Sequence, residues 1–407
     1  MSSATTNGAG RIAREPRYHV AHHLRKDSVL RMRTQLSALV GAIALATGVI
    51  AIGALPTAAQ APRPGDTRAL TRAADGHPDL SGTYDVATMT PLERPTEFGN
   101  RRALTAQESA AMELYEKQRQ EKSAAPSSAD RQAPPVGGDT SPTHSYLEGL
   151  FRSGGGVVGG YNTFWISPGD SFSVVNGEKR TSIVLDPPDG RVPPMKPEAR
   201  RRNSAYRETG AVSPDAGEGA PLSALANAFD GPELRPLSER CLLGFSSTSG
   251  PPSLPTYWYN NLKQVVQTRD HVTILNEMVH DARIIRIGGR HLPPTIRKWM
   301  GDSVGHWEGD TLVVDTTNFT DKTQFHGSGR DLHVVERFSR LADGNLLYQF
   351  TIEDPSTWDR AWSGEYPWRT TTEQLYEYAC HEGNYSLSNV LSGARARERE
   401  AAAAAKP

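Results

Sequence analysis

The sequence predicts a mainly β protein whose antiparallel meander closes into a lipocalin- or calycin-like barrel. Short apolar runs recur after residue 240, and Gly-Asp or Asp-Gly pairs separate several of them in the manner of hairpin turns. Strands and helices do not alternate along the chain, which argues against Rossmann and TIM-barrel folds. We favour the barrel because closure removes exposed strand edges, and a two-sheet β-sandwich is the alternative.

The N-terminal segment, residues 1–61, is expected to be an upstream extension followed by a signal peptide. A basic region ends at Arg33, a long apolar run follows, and Ala59-Gln60-Ala61 forms a small-x-small cleavage site. Cleavage after Ala61 would release a periplasmic or secreted protein with no integral membrane span. An uncleaved anchor is the alternative, since the apolar run is long enough to span a bilayer.

Composition divides the rest of the chain into three segments. Residues 62–78 are rich in Pro, Gly and charge and are expected to form a flexible leader. Residues 79–391 are expected to form a single β-rich domain with long Pro-rich loops. Residues 392–407 are polar and Ala-rich, which predicts a disordered tail.

The elements of the β-rich domain follow in order. A first strand lies within 79–89, and a single N-terminal helix over 104–122 begins with Thr105 and Glu108 as a capping box. Short strands return at Tyr161 and dominate from residue 262 onward, where hairpin turns separate them.

Charge excludes one class of partner. Residues 1–61 carry seven basic and two acidic residues, so the net charge of −1 for the whole chain leaves about −6 for the mature protein. A nucleic-acid binder would need a basic face, so we expect no nucleic acid and a small-molecule ligand instead.

The two cysteines, Cys241 and Cys380, both follow the predicted signal peptide. An isolated pair in an oxidising compartment predicts a disulfide. Two buried free thiols are the alternative, and two cysteines alone are too few to hold a structural zinc ion.

Charged residues within apolar strands predict a catalytic site. His280 and His381 are the candidate bases, because imidazole titrates near neutral pH. Asp281 would orient a histidine, and Arg283 would contact an anionic group. For each residue taken alone, an outward cross-strand ion pair or a structural hydrogen bond is the alternative.

The candidate acids are Glu336 and Glu353. A two-residue turn at Asp343-Gly344 would pair Glu336 near Thr351 and Val334 near Glu353. Side chains alternate between the faces of a strand, so both carboxylates would then lie on one face of the hairpin.

Aromatic residues concentrate after residue 250 and predict a surface that stacks on a ring or a sugar. Ordinary core packing is the alternative. The candidate substrate-binding residues are Trp258, Trp307, Trp358, Trp362 and Tyr378.

These residues favour an exported enzyme that performs acid–base chemistry (hydrolysis, elimination or isomerisation) on a small aromatic or glycosidic compound. The runner-up is a non-catalytic periplasmic carrier of a small hydrophobic ligand. A third candidate is an interaction module that uses the Pro-rich loops and the basic stretch 200–207. No organic cofactor is expected. Two histidines with a carboxylate would suit zinc or iron, although no local spacing supports a metal site.

Several segments of the sequence resemble those of a group of known proteins. RTSIVLDPPDGRVPP, ILNEMVHDARIIRI, WEGDTLVVDTTNFTDKT and YEYACHEGNY together resemble a large group of exported proteins of unknown function from environmental bacteria, over about residues 79–396. The resemblance implies an exported globular protein and brings no catalytic residues with it. The hairpin phrase around Trp307, GHWEGDTLVV, is similar to short segments of lipocalin-like barrels.

Overall fold

Twelve β-strands and three α-helices make up the part of the chain that this computed structural model describes. The described residues are 71–124, 169–208, 229–235, 239–243, 250–256, 260–320, 325–382 and 384–405. The predicted signal peptide, residues 1–61, lies outside them, as does most of the predicted leader. No helix in these ranges is both long enough and apolar enough to cross a membrane.

The strands alternate apolar and polar residues along most of their length, as half-buried strands do. In chain order they are β1 (Gly82–Asp85), β2 (Val174–Val175), β3 (Glu178–Lys179), β4 (Val184–Asp186), β5 (Leu262–Gln267), β6 (His271–Asn276), β7 (Ala282–Ile287), β8 (Asp302–Glu308), β9 (Thr311–Thr317), β10 (His333–Arg340), β11 (Leu346–Glu353) and β12 (Trp362–Thr371).

Nine of these strands form a closed barrel, which confirms the predicted fold class. The order around the barrel is β1-β5-β6-β7-β8-β9-β10-β11-β12, and β12 pairs back onto β1. β4 adds a tenth strand alongside β12, and β2 and β3 form a separate small hairpin. Closure leaves the barrel strands no long free edge.

One pairing departs from the expected antiparallel meander. β7 and β8 run parallel, because the connection over 288–301 carries the chain back along the barrel wall before β8 begins. All other barrel neighbours are antiparallel. A closed ring with an odd number of strands cannot be antiparallel throughout, so nine strands require one such exception.

The register separates an inward from an outward face. Directly paired residues point to the same side of a sheet, and the inward side chains form one apolar cluster. Its largest members are buried aromatic residues: Tyr84, Phe338, Tyr348, Phe350, Trp362, Tyr366 and Trp368. The barrel interior is therefore packed mainly with rings.

The helices lie outside the barrel sheet. They are α1 (Ala106–Ala124), α2 (Pro197–Glu208) and α3 (Tyr385–Ala404). The predicted capping box of α1 is confirmed: the Glu108 N–H donates to Thr105 Oγ1 at 3.1 Å, and the Thr105 N–H donates to Glu108 Oε2 at 2.9 Å.

The predicted disordered tail over 392–407 is wrong for most of its length, because α3 reaches Ala404. The Ala-rich composition that suggested a tail is also that of a good helix former. Asn384 caps the helix by accepting a hydrogen bond from the Leu387 N–H at 3.3 Å, and its amide donates to the Glu239 carbonyl at 2.7 Å.

The disulfide prediction is confirmed. Cys241 and Cys380 are bonded across 139 residues of sequence. The bond ties the segment between β4 and β5 to the segment that joins β12 to α3, next to the Asn384 cap.

Candidate functional site

Polar and charged side chains lie inside the barrel on the strands from β5 to β11. We call these residues the interior cluster: Lys263, Asn276, Arg283, Ser303, Thr316, Glu336 and Tyr348. They come from seven different strands, and the pairing register turns each of them inward. All seven are buried, so their interactions take place in a medium of low polarity.

Arg283 and Glu336 form the centre of the interior cluster. Arg283 Nη1 donates to Glu336 Oε1 at 2.9 Å, and Nη2 donates to the other carboxylate oxygen. The remaining guanidinium contacts are to Ser303 Oγ at 3.0 Å and Thr316 Oγ1 at 3.4 Å. A bidentate pair with this many hydrogen bonds offsets much of the cost of burying two charges.

Tyr348 is a further hydrogen-bond donor to Glu336. Its hydroxyl donates to Glu336 Oε1 at 2.9 Å. Burial, together with the negative charge of Glu336, raises the pKa of Tyr348 well above its ordinary value. The phenol therefore stays protonated and serves as a hydrogen-bond donor at any physiological pH.

Lys263 is the least expected member of the cluster. It is 3 % exposed, its Nζ donates to Asn276 Oδ1 at 2.6 Å, and it lies 5.9 Å from the centre of the Trp368 ring. Burial lowers the pKa of Lys263 to about 7, and the positive charge of Arg283 acts in the same direction. A large fraction of this amine is therefore neutral near pH 7, unlike that of a surface lysine.

A buried segment over 250–256, which we call the plug, packs against the inward side chains of the barrel. The Ser253 N–H donates to the Tyr348 hydroxyl at 2.8 Å, and the Ser253 carbonyl accepts from the Tyr366 hydroxyl at 2.5 Å. Leu254 joins the apolar cluster of the barrel. The plug is thus linked through Tyr348 to the Arg283–Glu336 pair.

Three buried indole nitrogens have no acceptor among the described residues: those of Trp358, Trp362 and Trp368. Trp358 and Trp362 make an edge-to-face contact with ring centres 5.8 Å apart. Buried N–H groups normally find a partner. Acceptor atoms of a bound molecule or of water would satisfy these three.

A second chain of ionisable groups lies on the outer face of the barrel; we call it the outer relay. It consists of Asp302, His291, Asp315, His333 and Glu353. The His291 ring nitrogens lie 3.3 Å from Asp302 Oδ2 and 2.8 Å from Asp315 Oδ1. Those of His333 lie 2.8 Å from Asp315 Oδ2 and 3.3 Å from Glu353 Oε2.

Each imidazole of the outer relay faces a carboxylate at both nitrogens. A neutral imidazole donates from only one nitrogen, so the doubly protonated form of His333 fits its two carboxylate partners best. The hydrogen bond to Asp315 raises the pKa of His333, and the same contact lowers the pKa of Asp315. At the other end, Arg286 holds the pKa of Asp302 far below its usual range.

The structure separates the predicted catalytic residues into three places. Arg283 and Glu336 meet in the interior cluster, whereas Glu353 lies outside with His333. The two carboxylates do not share a face as expected, because the turn after β10 has three residues and pairs Glu336 with Phe350 rather than Thr351.

His280 and His381, the predicted bases, are exposed and belong to neither cluster. β6 ends at Asn276, and a single turn of 3-10 helix over Met278–His280 replaces the expected continuous strand. Val279 and His280 take positive φ angles of 61° and 46° in this turn. Asp281, half-buried, follows the turn and leads into β7.

The predicted aromatic residues do not form one surface. Trp358 and Trp362 lie together at the end of the barrel where β12 begins. Trp307 lies on β8 and stacks on His77 with ring centres 4.4 Å apart, and Tyr378 belongs to the segment after β12. Trp258 lies outside the described residues.

Lys263 is the functional candidate that the sequence analysis missed. It lies in the apolar run LKQVVQ, and a cation in such a run was the available signal. His291 was missed because it lies in a connection rather than a strand. The described residues contain no group of three or more His, Cys, Asp and Glu side chains suited to a metal ion.

Comparisons of this chain with the profiles of known protein families, with curated proteins and with solved structures found no match. A closed barrel hosts many unrelated activities. The function therefore follows from the chemistry of the interior cluster and the outer relay alone.

Proposed function

We propose that this protein is an exported β-barrel enzyme that performs acid–base chemistry on a small aromatic compound inside the barrel, without an organic cofactor. The observation that carries the proposal is the interior cluster, which places an amine, a phenol and an ion pair among aromatic walls. The histidines expected to serve as bases are exposed, so the acid–base roles pass to residues of the cluster.

The roles follow from the charge states. Lys263 is the base, because its amine is substantially neutral near pH 7 and a catalytic base works best with a pKa near the working pH. Tyr348 remains protonated and donates its hydroxyl hydrogen bond to Glu336, so it holds the ion pair in place. Arg283 and Glu336 are mutually neutralised and supply a fixed electrostatic frame rather than a proton.

The unfavourable free energy of burying the Lys263 amine supports a functional role for the interior cluster. A buried amine destabilises the folded state relative to an apolar side chain of the same length. Residues retained at such a cost concentrate at functional sites. A purely structural barrel would be at least as stable with methionine at position 263.

Turnover of a panel of small aromatic esters, lactones and isomerisable compounds would test the proposal. Lys263→Met should abolish turnover of any panel substrate while the midpoint of thermal unfolding stays the same or rises. Lys196→Met is the matched control, because that lysine lies on the surface near Asp359 and should leave the rate unchanged. Full activity in the Lys263→Met variant would refute the assignment.

The second candidate is a carrier of a small ligand, which the three unpaired indole N–H groups favour. A carrier would bind a compound with acceptor atoms saturably and without turnover. Binding would then weaken in Trp362→Phe, which removes one donor and keeps a ring, and would survive Lys263→Met. Calorimetric titration of the two variants separates the carrier from the enzyme.

A further inference from the structure

The environment of Lys263 distinguishes it from a lysine that only neutralises a charge. Its Nζ donates to the neutral amide of Asn276, whereas Glu336 accepts hydrogen bonds from Arg283 and Tyr348. A lysine that is desolvated and placed near another cation is the type that attacks carbonyl carbon. The negative charge of Glu336 raises the pKa of Lys263, but burial and the charge of Arg283 lower it. Because the amine has no carboxylate hydrogen-bond partner among the described residues, it is available as a nucleophile.

We propose that the Lys263 amine forms an imine with a small, uncharged aldehyde or ketone that enters the barrel, an inference that rests on the interior site proposed above. The C–N bond forms as Nζ attacks the carbonyl carbon, and one proton passes from nitrogen to the carbonyl oxygen to give a carbinolamine. The hydroxyl group then leaves as water with the second nitrogen proton. Hydrolysis reverses the sequence, and no oxidant or reductant is consumed.

The side chains around Lys263 define the class of substrate. Arg283 is already bound by a carboxylate in a bidentate manner, so it offers no free positive charge to an anionic group. Trp368 lies beside Lys263 and Tyr348: its ring is 5.9 Å from Lys263 Nζ and 5.1 Å from the centre of the Tyr348 ring. A small carbonyl compound with an apolar body matches these aromatic surfaces.

The plug defines the entry. The Ser253 N–H donates to the Tyr348 hydroxyl and the Ser253 carbonyl accepts from the Tyr366 hydroxyl, and these two hydrogen bonds hold the plug against the cluster. A carbonyl compound that displaces Ser253 frees the Tyr366 hydroxyl as a donor, while the Tyr348 hydroxyl keeps its contact with Glu336. Entry therefore breaks few interactions and leaves the ion pair intact.

Reductive trapping tests this inference. The folded protein is incubated with acetaldehyde and cyanoborohydride near neutral pH, and the alkylated lysines are located by peptide mass spectrometry. A pKa near 7 gives Lys263 a neutral fraction roughly a thousand times that of an ordinary lysine. Even after losses from burial and lower nucleophilicity, we expect Lys263 to react at least about tenfold faster than Lys196.

Asn276→Asp provides the matched variant. It places a carboxylate where Asn276 Oδ1 now accepts from Nζ at 2.6 Å, which favours the ammonium form. Trapping at neutral pH should then slow at least about tenfold and recover as the pH is raised. A merely structural contact would not produce that shift of the pH profile.

The outcomes separate the two proposals. If Lys196 is alkylated in the folded protein and Lys263 is not, the imine is overturned. Should Lys263→Met abolish turnover without any trapping at Lys263, the enzyme assignment stands and the amine acts only as a base. Selective trapping without turnover of any substrate supports the imine and refutes the enzyme.

Discussion

Glu336 and Glu353 lie on neighbouring strands of one hairpin and point to opposite sides of the barrel wall. Glu336 is 0 % exposed and bound by Arg283, whereas Glu353 is exposed and touches His333. A glutamate therefore contributes very differently to the free energy of unfolding at the two positions. In the interior it balances a charge, and outside it makes a screened contact.

Glu336→Gln should lower the free energy of unfolding by about 3–5 kcal/mol, because Arg283 is left as an uncompensated buried charge. Glu353→Gln should change it by less than about 1 kcal/mol. Urea unfolding followed by tryptophan fluorescence measures both. The double variant Arg283→Met/Glu336→Leu should regain much of the loss, and a loss as large as that of Glu336→Gln would contradict this account.

Lys263 should make stability rise with pH. Its pKa is lowered to about 7 in the folded protein from an ordinary value of 10.5. Between these values the unfolded chain binds the extra proton, so the free energy of unfolding increases as the pH rises through this window. Lys263→Met should remove that increase, which denaturant titrations at several pH values would show. An unchanged pH dependence in Lys263→Met would mean that Lys263 does not titrate there.

His333 should have the opposite dependence. Its pKa is raised above the ordinary 6.5 by Asp315, so its contribution is fully present below about pH 6.5 and is lost as the pH rises through the raised value. The ring is 32 % exposed, so we expect less than about 1 kcal/mol. His333→Gln should flatten the stability profile above the ordinary histidine pKa, and His306→Gln, at an exposed histidine beside Glu308, is the control.

The Cys241–Cys380 bond should contribute about 5 kcal/mol in the chain-entropy model, because it closes a loop of 139 residues. A Cys241→Ser/Cys380→Ser variant should therefore unfold at lower denaturant concentration. Thiol labelling of the unfolded, unreduced wild type should find no free thiol. Two labelled thiols per chain would show that the bond does not form in the purified protein.

The barrel was predictable because its signals are local. Alternating apolar residues and Asp-Gly or Gly-Asp turns depend on a few neighbouring residues. The register of the hairpin was not, because Asp343-Gly344 is compatible with both a two-residue and a three-residue loop. A shift of one residue moves every side chain to the other face, and this alone separated Glu336 from Glu353.

Lys263 shows a second limit of prediction from the sequence. In β5, Lys263 and Val265 share the inward face, while Leu262 and Val266 share the outward one. The two faces contain similar apolar side chains, so the period of two does not reveal which one is buried. The neighbours that decide it, Asn276 and Trp368, come from distant strands.

The closing strand has a consequence for how the chain folds. β1 is four residues long and comes first in sequence, yet it pairs with β5 and with β12, whose partner residue Arg369 is 284 positions beyond Asp85. When the chain has been synthesised only as far as β11, the sheet is still open between β11 and β1. The last step of assembly must therefore join the two ends of the domain, and such long-range contacts are slow to form. Until then the edges of β1 and β11 stay available to other chains, so newly made protein is most prone to aggregate just before the seam closes.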